Sequence, residues 1–231
     1  MKNNISKALK ISAIFFSLLG IVLNFIFAEA DGYSHFSKRL LYFTSQSNLW
    51  IALIFTLILL QPYIKCLNNK KIKDVFYIIK YVFTVSITLT GFVFCAILAP
   101  GAENDSYNAW TPWSLIVHVV VPTLSIIDFL IDGYFISIKP RDIAFVTLPP
   151  LAYVIFSSVL FFLNVDFGRG EPFPYFFLNY SSPAGFFGRS DEMPYIIGSF
   201  YWLVALLLLI LGIGAIYRIL FNKTHKKGCR I

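Results

Sequence analysis

The chain has 231 residues, of which 58% are hydrophobic and only 13% charged, and its formal net charge is +7. A soluble domain carries roughly a quarter charged residues, and one core of this size cannot enclose so much apolar side chain, so a water-soluble fold is excluded and lipid is the expected solvent. The basic excess does not point to nucleic acid, because the charges fall in short segments between apolar runs.

A membrane-crossing helix needs about 20 mainly apolar residues. Six segments meet that requirement, near 9–29, 44–64, 75–98, 113–135, 143–163 and 194–220. The predicted fold is all-α: a polytopic membrane protein whose single domain, 1–231, is a six-transmembrane-helix bundle. Neither an internal repeat nor a low-complexity tract interrupts it.

The first segment follows Lys2, Lys7 and Lys10 and ends in Ala28-Glu29-Ala30, a pattern shared with cleaved signal peptides. The apolar run from Ile11 to Ala28 is longer than a usual signal core, and Asn24 interrupts it. It therefore reads as a retained first span. All but four of the 19 Lys and Arg lie in the N-terminal segment, the 65–80 loop, the 136–142 loop and the C-terminal tail. The exceptions are Lys38, Arg39, Arg169 and Arg189. Cytoplasmic loops carry the excess of Lys and Arg, so both termini are expected inside and the loops 30–43, 99–112 and 164–193 outside. Cys66, Cys95 and Cys229 have no metal or redox spacing, and two of them lie in basic, cytoplasmic segments, so no structural disulfide is expected.

The second span opens with five polar residues, Thr44-Ser45-Gln46-Ser47-Asn48. Capping of a helix start accounts for one hydroxyl; it does not account for the whole row. On the third span Thr84, Thr88, Gly91 and Cys95 fall at helical spacing, a small face suited to close helix packing. The fourth span carries His118, the one histidine in any span, followed by Pro122 and Asp128. An intramembrane ionisable residue is expensive and must face the bundle interior with a partner. Thr44 stands at the outer start of its span, and His118 lies five residues past Trp113, about 7.5 Å along a helix axis. The pair is therefore expected in one outer layer. A hydroxyl beside a neutral imidazole suffices for nucleophilic attack on a carbonyl, and the free amides of a helix start, or the amides of Gln46 and Asn48, suit an oxyanion. Asp128 lies about 15 Å deeper, too far for a bond to His118, and reads as structural near the inner end. The loop 164–193 is rich in Pro, Gly and aromatics, which places it on the outer interface or over the helix ends.

Two segments, Tyr42-Phe43-Thr44-Ser45-Gln46-Ser47-Asn48-Leu49 and His118-Val119-Val120-Val121-Pro122 with Asp128 beyond, resemble the six-span androgen-induced membrane hydrolase family, and its bacterial members most closely. The run Pro172-Phe173-Pro174-Tyr175-Phe176-Phe177-Leu178 is similar to that family's last outer loop. The resemblance implies a hydrolase of fatty acid esters of hydroxy fatty acids, with Thr44 as nucleophile and His118 as base. Gln46, Ser47 and Asn48 would shape the substrate or oxyanion site; animal members have an acidic residue in that stretch, and their proline after the histidine is displaced by one position. A lipid substrate is then expected, without metal or other cofactor, since one histidine makes no metal site. The open alternative is a transporter or accessory membrane protein that binds a small solute or lipid at the same polar cluster. The Lys-, Asn-, Ile- and Phe-rich composition points to an AT-rich bacterial genome, and hence to a cell membrane.

Overall fold

A computed structural model describes residues 2–101, 108–134 and 136–226. Cys229, the tail cations Lys227 and Arg230, and the middle of the 99–112 loop lie outside those residues. Among the described residues, six helices are long and apolar enough to cross a membrane: α1 (Asn3–Ile26), α2 (Phe43–Tyr63), α3 (Lys70–Leu98), α4 (Pro112–Ile131), α5 (Pro140–Phe162) and α6 (Ser199–Thr224). The chain is an integral, multi-pass, all-α bundle.

Three of the boundaries that differ from the sequence reading have a visible cause. The third span starts at Lys70 instead of 75, because Asn69 caps it by accepting from the Lys71 amide at 2.8 Å. The fourth ends at Ile131 instead of 135, where Asp132 leaves helical geometry with ψ 130°. The last starts at Ser199 instead of 194, because the preceding residues bond to the outer loop: Ser190 N–H to the Ile196 carbonyl (3.1 Å) and Gly198 N–H to the Gly188 carbonyl (3.0 Å).

α3 is the central helix. Its apolar window is 56% buried, against 17% for α5 and for α6, which face lipid over most of their surface. α1 packs on α2 and α4, both of these pack on α3, and α6 packs on α3 and on the first turns of α5. One apolar cluster joins Ile51, Ile54 and Phe55 of α2 to Ala13, Ile87 and Val121; a larger one joins α3 to α6 and the outer loop.

Two cations counted as loop residues from sequence are instead inside the bundle. Lys10 and Lys80 are almost fully buried, with Asp128 and Asp132 between them. Lys10 Nζ lies 2.8 Å from each carboxylate and Lys80 Nζ 2.5 Å from each. Ser6 Oγ donates to Asp128 (2.6 Å) and Tyr77 Oη to Asp132 (3.2 Å). Two ammonium and two carboxylate groups thus neutralise one another where α1, α3 and α4 meet. Burial of a charge is tolerable only with such pairing and hydrogen bonding. The structural reading of Asp128 holds.

The 164–198 segment folds over the outer helix ends. Its short 3-10 turn, Phe176–Leu178, buries Phe177 and Leu178, and Phe176 meets Trp202 edge-on at 5.3 Å. The loop is pinned to the 30–43 loop through Lys38 Nζ, which donates to the Asp166 carbonyl at 2.7 Å.

Candidate active site

The first turn of α2 projects Thr44 toward α4. Tyr42, the residue before the helix, makes no side-chain cap, and the first main-chain bond of the helix runs from Gln46 N–H to the Tyr42 carbonyl (3.2 Å). The amides before Gln46 therefore have no partner within the helix, and they stand where its partial positive charge is concentrated.

Opposite Thr44, α4 widens. Residues Ile116–Val120 form a π turn with His118 at its centre, ending two residues before Pro122. An extra residue in one turn rotates the remainder of the helix by about 100° relative to a regular α-helix, and such turns recur at functional sites. α3 carries a second π turn, Phe94–Leu98, at the same level. Phe94 lies flat on the imidazole, with centroids 4.0 Å apart and planes 11° from parallel. The same shift turns Cys95 to the exterior, so it leaves the small-residue face expected of it.

Thr44 Oγ1 and His118 Nε2 are 3.1 Å apart. On the far side of the ring, Nδ1 lies 2.8 Å from the Ser114 carbonyl and 3.2 Å from Ser114 Oγ. A carbonyl only accepts, so Nδ1 carries the proton and Nε2 presents its lone pair to the Thr44 hydroxyl. This is the tautomer a general base requires. A main-chain carbonyl holds the ring in the way a carboxylate does in a Ser-His-Asp triad.

Gly91 lets this geometry form. A Cβ there would lie 2.8 Å from the His118 carbonyl oxygen and 3.3 Å from the Pro122 ring. Gly20 of α1 does the same from the other side, where a Cβ would lie 2.5 Å from Val117 Cγ1. Gly91→Ala is expected to push the π turn away from α3 and cost about 1–3 kcal/mol. The thermal midpoint in detergent should fall, and the His118 ring resonances should shift.

The other candidates divide between scaffold and periphery. Asn48 Nδ2 donates to the Thr44 carbonyl (2.8 Å) and to the Val117 carbonyl (3.1 Å), tying α2 to the π turn. Ser47 Oγ donates to the Thr44 carbonyl (3.1 Å) and lies 3.0 Å from Thr90 Oγ1 of α3. Both fix the Thr44 backbone. Gln46 is not brought to the pair: two residues on from Thr44 it faces another way, and its amide donates to the Leu40 carbonyl (3.3 Å).

Sequence reasoning missed three contributors. Ser114 was legible in principle, since i and i+4 residues of a helix are neighbours. Phe94 and Tyr175 were not, because each arrives from a distant segment. The Tyr175 phenol lies against the Thr44 hydroxyl and the main chain of Phe43 and Thr44; burial pushes its pKa up to about 12, with the Thr44 hydroxyl acting in the opposite direction. It stays a neutral phenol at the start of α2, its oxygen accepting from the Thr44 hydroxyl and the main-chain amides there.

Thr44 and Tyr175 also close one end of an apolar cavity of about 280 Å³, set among α3, α5 and α6 beneath the aromatic loop. Among the described residues, no group of three or more His, Cys, Asp or Glu stands together as a metal site. Compared with known proteins, the chain matches no family model, no curated protein and no solved structure.

Proposed function

We infer that the protein is a membrane-embedded threonine hydrolase of lipid esters. The observation that carries this reading is the 3.1 Å contact between Thr44 Oγ1 and a His118 Nε2 whose partner nitrogen is already committed to a carbonyl. Thr44 Oγ attacks the ester carbonyl carbon while its proton passes to His118 Nε2. The carbonyl oxygen gains the negative charge beside the helix-start amides and the Tyr175 hydroxyl. His118 then gives its proton to the departing alcohol oxygen as the carbon–oxygen bond breaks, leaving an acyl-threonine. Water attacks that ester, His118 takes the water's proton and returns it to Thr44, and a carboxylic acid leaves. The chemistry needs water and no other co-reactant.

The apolar cavity ending at Thr44 supports a substrate with a long hydrocarbon chain. The resemblance to the androgen-induced membrane hydrolases narrows the proposal to fatty acid esters of hydroxy fatty acids, and a bacterial cell membrane is the location proposed from the AT-rich character of the composition. The experiment is direct. Purified protein in detergent is given a fatty acid ester of a hydroxy fatty acid and a short water-soluble ester, and acid release is followed for wild type and Thr44→Ala. Release from the long-chain ester that vanishes in Thr44→Ala supports the reading; equal release from both proteins, or none from wild type, sinks it.

A further inference from the structure

The cavity is only partly enclosed. α5 and α6 are held together at their inner ends: Arg218 Nε and Asn222 Nδ2 donate to the Ile138 carbonyl just before α5, at 3.1 and 2.9 Å, and the Gly214 backbone lies against Val146. At their outer ends they are bridged through the loop, where Tyr180 Oη lies 2.7 Å from Ser158 Oγ and Phe186 packs on Phe200. Between those two ties the helices stand apart. Leu151 of α5 and Phe200 and Val204 of α6 line the cavity and are 46%, 39% and 38% exposed. Side chains that line a cavity and stay this exposed form a wall no more than one residue thick, so the enclosure is thin here.

The depth of the cavity matches the posture of an outer-leaflet lipid. Thr44 and Tyr175 lie at its outer end, and Ile210, eleven residues into α6, lies at its inner end, about 16 Å below Ser199. A lipid of the outer leaflet holds its ester linkage near the interface and its hydrocarbon toward the midplane. It can move sideways into this space without turning over and arrive with its carbonyl beside Thr44. The lining is almost wholly carbon, so an acyl chain exchanges one apolar surrounding for another.

We propose that the gap between α5 and α6 is a lateral door through which the acyl chain of a lipid ester passes from the outer leaflet into the cavity beneath the aromatic loop. The proposal shares its substrate class with the hydrolase reading, but the chain site is measurable without catalysis. The probe is a fatty acid bearing a mid-chain diazirine, photolysed with the full-length protein in nanodiscs, followed by mapping of the labelled peptides. Label is expected on cavity-facing positions of α5 and α6, with Leu151 and Val204 among them, and it should persist in Thr44→Ala. Leu151→Trp and Val204→Trp narrow the gap and should lower labelling by about tenfold or more. Leu208→Trp, at a 64% exposed position outside the cavity lining, should leave it unchanged. Label spread evenly over the lipid-facing helices, with the Trp variants equal to wild type, overturns the door. If the Trp variants fail to fold, the map on unaltered protein decides by itself. Chain labelling at α5 and α6 with no Thr44-dependent hydrolysis would keep the door and discard the hydrolase; the reverse pattern would discard the door alone.

Discussion

His118→Ala is expected to lower long-chain ester hydrolysis by about 10²–10⁴-fold. In the proposed mechanism the imidazole accepts the Thr44 proton, and its ring is held in two ways: the Ser114 carbonyl fixes the tautomer, and the flat stack on Phe94 fixes the plane. An alcohol without its base is a poor nucleophile near neutral pH. The loss should fall on kcat more than on KM, because the chain site lies on the other side of Thr44 from the imidazole. Groups that act as one unit are non-additive, so Thr44→Ala with His118→Ala should be no worse than the more damaging single change. Independent, multiplying losses would mean that the two side chains do not work on the same step.

Lys80→Met is expected to destabilise the fold by about 3–5 kcal/mol, the cost of leaving a buried charge unpaired. Lys80 lies 2.5 Å from both Asp128 and Asp132 and is 1% exposed. Without it, two carboxylates share the single ammonium of Lys10 in a dry interior. In a chain of this size, a loss of that order lowers a thermal midpoint by about 6–20 °C. Adding Asp132→Asn restores charge balance, leaving Lys10 with Asp128, and should recover part of the stability. Thermal unfolding in one detergent checks both variants. A double variant less stable than Lys80→Met would mean that hydrogen bonding by Asp132, to Tyr77 among others, outweighs charge compensation.

The bundle and the Thr44–His118 contact were legible for different reasons. The spans follow from hydrophobic length. The contact follows from depth: both residues sit near the outer end of helices running the same way, and a rise of 1.5 Å per residue brings them level. The buried quartet was hidden. A lysine beside a loop reads as a loop charge, and Lys10 and Lys80 differ from Lys7 and Lys73 only through Asp128 and Asp132, which lie 48 to 122 residues away in sequence. Asn69 before Lys70 was an available sign that α3 starts early. The π turns left no such sign, since spacing alone does not show where Gly20 and Gly91 approach the Ile116–Pro122 stretch closely. Tyr175 was visible only as one aromatic among many, because the fold of a long loop depends on contacts that spacing does not encode.

In the proposed mechanism Thr44 is a nucleophile activated by His118. The most direct measurement of that role is intact-protein and peptide mass analysis after exposure to a long-chain fluorophosphonate. One phosphonyl adduct on the peptide containing Thr44, absent from Thr44→Ala and strongly reduced in His118→Ala, is the predicted result. An adduct on another residue, or labelling unaffected by either substitution, would contradict it.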